Sequence, residues 1–177
     1  IYEYYNKANW WGGLWPVWEN IVRDIPLLHD MGATGFYTQY SAANSLARGL
    51  GYWLAAQLTL DPAAAERRDL ISDWIAGVYG AAADPIHEAY HLLADRFRQS
   101  RQHLPGGARN IDTVFDRELL DKLADLLTAA TGRAQTDETR WAVQAFAASV
   151  AHTRNVRDYS EALRVAAETG QRPSVDL

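Results

Sequence analysis

Apolar residues recur three and four positions apart along most of this chain, which is the spacing of one face of an α-helix. The pattern predicts six helices, which start near residues 17, 45, 67, 85, 113 and 136. The last of them continues to about residue 169 without Gly or Pro. Expected N-caps are Asn44 or Ser45, Asp84 and Asp112. We expect the helices after about residue 60 to bury their apolar faces against one another as an antiparallel bundle.

Two short segments have the composition of strands instead. Residues 1–5 (IYEYY) and 34–40 (TGFYTQY) are rich in aromatic residues, which favour extended backbone, and one predicted helix lies between them. Two strands that are connected through a helix normally lie parallel, in a right-handed βαβ unit. The sequence therefore predicts a mainly α fold with a small βαβ unit near its start.

Composition and charge exclude several classes of partner and site. The chain has 17 Lys and Arg residues against 22 Asp and Glu residues, and its basic residues are scattered among the acidic ones. We expect no nucleic-acid partner, because no basic stripe could follow a phosphate backbone. We expect no membrane partner, because no apolar run approaches the roughly 20 residues that span a bilayer. Cysteine is absent, which excludes disulfides and thiolate metal sites.

An aromatic loop follows the first predicted strand, and it is the first candidate for a binding site. Trp10, Trp11 and Trp15 lie in this loop, and Tyr5 immediately precedes it. A flat aromatic ring suits the C–H face of a sugar, and its N–H or O–H group can bind a sugar hydroxyl. The alternative is that these rings only pack against the helical bundle, in which case all three Trp side chains would be buried there.

Polar residues on the two predicted strands complete the candidate substrate-binding set. Glu3 could bind a sugar hydroxyl or support a catalytic acid, and its alternative is a salt bridge with an Arg. Gln39 and Tyr40 end the second predicted strand, where Gln39 could present an amide to a ligand or be satisfied by Tyr37. A glycosidase needs two carboxylates about 5–9.5 Å apart. Because Glu3 is the only plausible member, we assign no catalytic residue.

One further motif concerns metal binding. His87-Glu88-Ala-Tyr-His91 has the spacing that puts two imidazoles on one helical face, with a glutamate able to activate zinc-bound water. No third ligand is obvious, although Asp95 and Glu118 are available. We interpret this motif as a solvated helix face, and no metal or cofactor is predicted.

Several stretches together resemble a known family. YEYYN at residues 2–6, GATGFYTQ at 32–39, GYWLAAQLTLDP at 51–62 and YGAAA at 79–83 are similar to the C-terminal part of bacterial glycoside hydrolase-like proteins. Many of those are described only as a domain of unknown function related to α-glucuronidases and β-hexosaminidases. The resemblance implies that residues 1–58 are the C-terminal edge of a (β/α)8 barrel, with its last two β/α units, and that residues 59–177 are a helical bundle domain. It also implies that the catalytic carboxylates lie upstream.

The functional prediction follows from this resemblance. The chain is expected to be the C-terminal portion of a carbohydrate-active protein, with the upstream part of the same polypeptide and a carbohydrate as its partners. Its first residue is Ile, and two strands alone cannot close a sheet, so we expect a piece of a longer protein. The alternatives are a helical protein-interaction module, in which the Trp cluster binds a partner, and a zinc metallopeptidase that uses His87 and His91.

Overall fold

The structure is a computed structural model that describes residues 1–2, 5, 13–38, 48–100 and 111–170. Helices dominate this part of the chain. In order, they are α1 (Trp18–Asp30), α2 (Gly49–Leu60), α3 (Ala64–Arg67), α4 (Leu70–Tyr79), α5 (Ala83–Gln99), α6 (Arg117–Arg133) and α7 (Asp137–Thr169). Two 3-10 turns, Gly80–Ala82 and Ile111–Thr113, precede α5 and α6.

The helix predicted from residue 17 is α1, and it packs against α2. Trp18, Ile21 and Ile25 form its buried stripe. A Cβ atom added to Gly51 of α2 would lie 3.3 Å from Cδ1 of Ile21, so the missing side chain permits the close approach of the two helices. Gly32 follows α1 with a φ of +92°, a conformation that glycine adopts readily.

The predicted start of the third helix is wrong by three residues. Arg67 ends the separate short helix α3, and α4 begins at Leu70. The later start is explained by Asp69, which caps α4. A side-chain oxygen of Asp69 accepts a hydrogen bond of 3.1 Å from the backbone N–H of Ser72. Such a cap satisfies one of the N–H groups that the first turn of a helix leaves unpaired.

The predicted cap of the next helix is also wrong. Gly80 has a φ of +49° after α4, and the 3-10 turn that it opens leads directly into α5. As a result α5 begins at Ala83, and Asp84 lies inside its first turn instead of capping it. The caps predicted for α2, Asn44 and Ser45, lie outside the described residues.

Asp116, and not the predicted Asp112, caps α6. Oδ1 of Asp116 accepts a hydrogen bond of 2.8 Å from the backbone N–H of Leu119. Asp112 lies in the preceding 3-10 turn, where its buried carboxylate accepts hydrogen bonds from the hydroxyl of Ser160 (3.1 Å) and from Nε of Arg164 (3.1 Å). Both partners belong to α7, so Asp112 ties the turn to the last helix instead of starting the next one.

The long closing helix agrees with its prediction. The hydroxyl of Thr136 accepts a hydrogen bond of 3.1 Å from the backbone N–H of Thr139 and caps α7. Gly170 ends the helix in the left-handed conformation, with a φ of 70°. The helix has 33 residues, which corresponds to a length of about 50 Å at ~1.5 Å per residue.

One hydrophobic core joins these helices. As predicted for the bundle, α5 packs on α4 and α6, and α6 packs on α7. The predicted domain boundary lies between residues 58 and 59. The core contains residues from both sides of it: Leu50, Leu54 and Leu58 of α2 before the boundary, and Phe115 and Leu120 after it. The division into residues 1–58 and 59–177 stays a prediction. None of the described helices is long and apolar enough to cross a membrane.

The predicted βαβ unit, and with it the last two units of a (β/α)8 barrel, is wrong. Among the described residues the only strand-like pairing is an isolated parallel bridge between Tyr2 and Tyr37, and the N–H of Tyr37 donates a hydrogen bond of 2.8 Å to the carbonyl of Ile1. Parallel sheets are buried on both faces, whereas the Tyr2 and Tyr37 side chains are 52% and 67% exposed. Two extended segments without further neighbours do not build a stable sheet.

Candidate functional site

Tyr5 belongs to the predicted sugar site, and it lies beside the segment that follows α1. Its side chain is half-buried. Its ring stacks on that of Phe36, with ring centroids 5.8 Å apart and planes inclined by 22°. The two predicted strand segments are therefore neighbours at this point, as the bridge between Tyr2 and Tyr37 also requires, although neither forms a strand among the described residues.

Trp15, near the other end of the aromatic loop, packs on the helical bundle. Its indole contacts the ring of Phe97 in α5 edge to face, with centroids 5.5 Å apart. The preceding residue, Leu14, is buried, and its N–H donates a hydrogen bond of 3.0 Å to Oγ1 of Thr153 in α7. The hydroxyl of Thr153, also buried, donates in turn to the carbonyl of Ser149 (2.8 Å). These contacts fix the point at which the loop returns to the bundle.

The other members of the predicted set lie outside the described residues: Glu3, Trp10, Trp11, Gln39 and Tyr40. The two described members contact different parts of the fold. Tyr5 contacts the segment after α1, and Trp15 contacts α5. The aromatic loop is thus held at its two described ends by separate structural elements.

Sequence reasoning missed a cavity of about 390 Å³ between the ends of α1 and α2 and the segment after α1. The side chains that line it are Ile25, Leu28, His29, Thr34, Phe36, Leu58 and Thr59, together with Ile1, Ala33 and Pro62. Phe36 also stacks on Tyr5, so the cavity adjoins the described end of the aromatic loop. Periodicity identifies the leucines as core-facing, but the space among them depends on how two helix ends meet a non-helical segment.

Five aromatic side chains form a cluster inside the bundle. Tyr90 is at its centre, with ring centroids 4.9 Å from Trp18, 6.0 Å from Trp74 and 5.2 Å from Phe146. Tyr79 lies 5.6 Å from Trp74. Burial raises the pKa of Tyr79 to about 12 and that of Tyr90 well above its ordinary value. These phenols stay neutral and serve packing, and Trp18 is buried beside Tyr90.

The two histidines of the metal-binding motif lie next to each other on α5, with ring centroids 4.5 Å apart. Nε2 of His87 is 2.7 Å from Oγ of Ser72 in α4, and the same hydroxyl lies 2.8 Å from Oδ2 of Asp69. The pKa of the Asp69 carboxyl lies below its ordinary value. Partial burial acts to raise this pKa, but hydrogen bonds from Ser72 and from the N–H of Ile71, together with the charge of His87, outweigh burial.

A peptidase zinc site needs three protein ligands. Within the part of the chain that the structure describes, no three His, Cys, Asp or Glu side chains are grouped so that they could hold one metal ion. The motif found in the sequence thus provides two adjacent imidazoles. Sequence reasoning missed the contact of His87 with Ser72, which belongs to α4.

The described residues define a helical domain in which an aromatic loop and a cavity adjoin the first helix. The chain belongs to the family described as a domain of unknown function, DUF4838, which matches residues 1–91. This stretch contains both ends of the aromatic loop, the residues that line the cavity and the histidine pair. The resemblance to a domain of unknown function is confirmed, and the relation to glycoside hydrolases stays a prediction. No curated protein and no solved structure matches the chain.

Proposed function

We propose that this protein is the C-terminal portion of a carbohydrate-active, glycoside hydrolase-like protein, and that its aromatic loop forms one wall of a sugar site. Support comes first from residues 1–91, whose family membership covers the stretches that resemble such proteins. The observation that carries the proposal is the fixing of the loop at both described ends, by the stack of Tyr5 on Phe36 and by the hydrogen bond from Leu14 to Thr153. Fixed ends favour binding, because ordering a mobile loop around a ligand costs free energy.

The roles within this site follow from side-chain chemistry. Trp10, Trp11 and Tyr5 offer flat faces to the C–H surface of a sugar ring, and Trp15 contributes the part of its indole that Phe97 leaves uncovered. The polar members Glu3, Gln39 and Tyr40 bind sugar hydroxyls. With only one carboxylate in the set, the catalytic acids are supplied by the upstream part of the polypeptide, and this chain alone does not hydrolyse a glycoside.

Binding of soluble sugars tests the proposal directly. A panel of mono- and oligosaccharides that includes glucuronides and N-acetylhexosaminides is titrated into the protein, and Trp fluorescence and calorimetry are recorded. We expect Trp10→Ala or Trp11→Ala to weaken binding at least tenfold with little loss of stability. Trp141→Ala is the matched control, because Trp141 is 60% exposed on α7 and is not part of the proposed site.

Two kinds of result, one in binding and one in stability, would contradict the proposal. One is the absence of binding to any sugar of the panel, or equal binding by all three variants. The other is a loss of several kcal/mol in the free energy of unfolding of Trp10→Ala and Trp11→Ala, since truncation of a core Trp costs ~3–5 kcal/mol. Either result would assign the loop to packing.

One observation favours the alternative of a protein-interaction module. Large apolar side chains near the start of the chain, on α1 and in the segment after it are more than half exposed: Ile1, Tyr2, Leu27, Met31 and Tyr37. The rings of Tyr2 and Tyr37 lie together, with centroids 5.1 Å apart. Exposed apolar surface of this kind marks binding sites for other proteins. A Tyr2→Ser, Tyr37→Ser double variant would lose binding to such a partner while sugar binding stays unchanged.

A further inference from the structure

The histidine pair on α5 lies beside a small cavity. His91 is exposed and His87 is half-buried. The cavity, of about 30 Å³, adjoins both rings, and its other lining residues are Trp18, Glu19, Ile71, Ile75, Tyr90 and Ala94. This volume accommodates one water molecule. Glu19 is not a free ligand, because its carboxylate pairs with Nε of Arg98 at 3.2 Å.

The direction of the hydrogen bonds behind His87 is set by chemistry. The Asp69 carboxyl is ionised at neutral pH, as an Asp side chain ordinarily is, and can only accept. The single hydroxyl hydrogen of Ser72 is therefore donated to Oδ2 of Asp69, 2.8 Å away. Oγ of Ser72 then accepts from Nε2 of His87, 2.7 Å away, so Nε2 carries the hydrogen and the lone pair of the neutral ring is on Nδ1.

This direction separates two functions for the group. A serine nucleophile would have to donate its hydrogen to the histidine that activates it. Here the hydrogen of Ser72 is donated to Asp69, so Ser72 and His87 do not form a nucleophile and its base. The same arrangement is what a metal-binding histidine requires, since such residues donate their second ring N–H to an oxygen that orients the ring and raises its basicity.

We propose that His87 and His91 bind a divalent transition-metal ion of the Cu²⁺ and Zn²⁺ class, and that Ser72 and Asp69 are positioning residues that hold the ring of His87. Two imidazoles one helical turn apart supply two nitrogen ligands, and water completes the coordination. Among divalent ions, Cu²⁺ forms the strongest complexes with nitrogen ligands, so it binds more tightly than Zn²⁺. This site is independent of the proposed sugar site, and the two are tested by different ligands.

Titration of the whole chain with CuCl₂ in a non-coordinating buffer tests the site, with affinity measured by calorimetry and ligand nitrogens counted by electron paramagnetic resonance. We expect one Cu²⁺ per chain with two nitrogen ligands. His91→Ala is the cleanest variant, because His91 is exposed and its removal leaves the core intact. We expect His91→Ala and His87→Ala each to lower the affinity at least tenfold, and each to remove one nitrogen from the spectrum.

Ser72→Ala tests the positioning role separately. The cap of α4 persists in this variant, because the backbone N–H of residue 72 still donates to Asp69. Loss of an orienting partner typically costs about 10–100-fold in metal affinity, and we expect a reduction of that order with both nitrogens retained. An unchanged affinity in Ser72→Ala would overturn the positioning role of Ser72 and Asp69.

His29→Ala and His152→Ala are the matched controls, since these histidines lie on α1 and α7. We expect both to bind Cu²⁺ as the unaltered protein does. If they lower the affinity as much as His91→Ala does, or if His87→Ala and His91→Ala leave it unchanged, the proposed site is wrong. Zn²⁺, titrated in the same way, is expected to bind more weakly than Cu²⁺, and the reverse order would contradict the two-imidazole assignment.

Discussion

Side-chain caps start three of the five described helices after residue 61, α3 and α5 being the exceptions, and neither of the two described helices before it. In the later region α4, α6 and α7 each start at a side-chain cap, formed by Asp69, Asp116 and Thr136. In the earlier region α1 and α2 have no side-chain cap hydrogen bond. Exposed large apolar residues are also concentrated in the earlier region: Ile1, Tyr2, Leu27, Met31, Tyr37 and Leu60, against Trp141, Tyr159 and Val165 in the later one.

The difference shows how each region is specified. Helices α4, α6 and α7 carry their own start signals, so local sequence and packing agree along most of their length. The earlier region depends on contacts with distant residues, such as the hydrogen bond between Leu14 and Thr153 and the contact of Trp18 with Tyr90. Four measurements test whether the two regions differ in this way.

Truncation of one ring in each region should give the largest contrast. Phe115 is completely buried and contacts Phe97, with ring centroids 5.6 Å apart, whereas Tyr37 is 67% exposed. We expect Phe115→Ala to lower the free energy of unfolding by about 3–5 kcal/mol, and Tyr37→Ala to change it by less than about 0.5 kcal/mol. Urea titration followed by circular dichroism measures both free energies. Similar losses in the two variants would show that the two regions do not differ in this way.

The hydrogen bond that joins the two regions comes next. Thr153→Val removes the acceptor of the buried Leu14 N–H, and an unpaired buried donor costs ~1–3 kcal/mol. Thr153→Ser keeps the hydroxyl and serves as control. We expect Thr153→Val to speed hydrogen exchange at Leu14 and to change the fluorescence of the neighbouring Trp15. Equal stability of the two variants would show that the loop is held by packing alone.

Removal of the side-chain cap of α7 should lower the free energy of unfolding by a smaller amount. Thr136→Ala removes the oxygen that accepts the Thr139 N–H, and loss of such a cap costs about 0.5–2 kcal/mol. Thr136→Ser retains the cap, and we expect it to be close to the unaltered protein. Thermal unfolding of the two variants gives the difference. If Thr136→Ala is as stable as Thr136→Ser, side-chain caps do not distinguish the later region.

The smallest effect concerns pH. Hydrogen bonds from Arg117 and Arg157 to the Glu161 carboxylate, of 2.9 Å and 2.5 Å, lower its pKa in the folded protein. A lowered folded-state pKa stabilises the fold above the unfolded-state pKa, and this stabilisation is lost as pH falls through the folded-state value. We expect the free energy of unfolding to fall on acidification, and to fall less steeply in Glu161→Gln. The partly exposed pair limits the difference to below about 1 kcal/mol.

Parallel pH dependence in Glu161→Gln and the unaltered protein would contradict this assignment. Urea titrations between roughly pH 3 and pH 7 cover the range in which carboxylates titrate.

The helices could be predicted from local sequence, because the spacing of apolar residues and the residues that end a helix are neighbours in the chain. Local sequence could not decide which of two acidic residues caps α6. Asp112 and Asp116 both precede α6, and the first is engaged by Ser160, 48 residues away. In the same way the histidine motif was visible in the sequence, but its contact with Ser72 required α4 and α5 to be packed together.

The prediction of two strands was wrong for a different reason. Aromatic residues in short runs favour extended backbone, and Tyr2 and Tyr37 do pair once. A sheet also needs further strands on both sides to share hydrogen bonds and cover its faces, and composition does not report whether they are present. The geometry of the candidate sugar site could not be predicted for the same reason, because the prediction placed its residues at the ends of strands.

The hydrogen bond between Leu14 and Thr153 also bears on how the chain acquires its fold. The two residues are 139 positions apart. At ~5–20 residues per second on the ribosome, Thr153 is made roughly 7–28 s after Leu14. Contacts of such sequence separation also form slowly during refolding, because a long loop must close first. Because Thr153 lies in α7, the anchor of the aromatic loop can form only once this helix has been made.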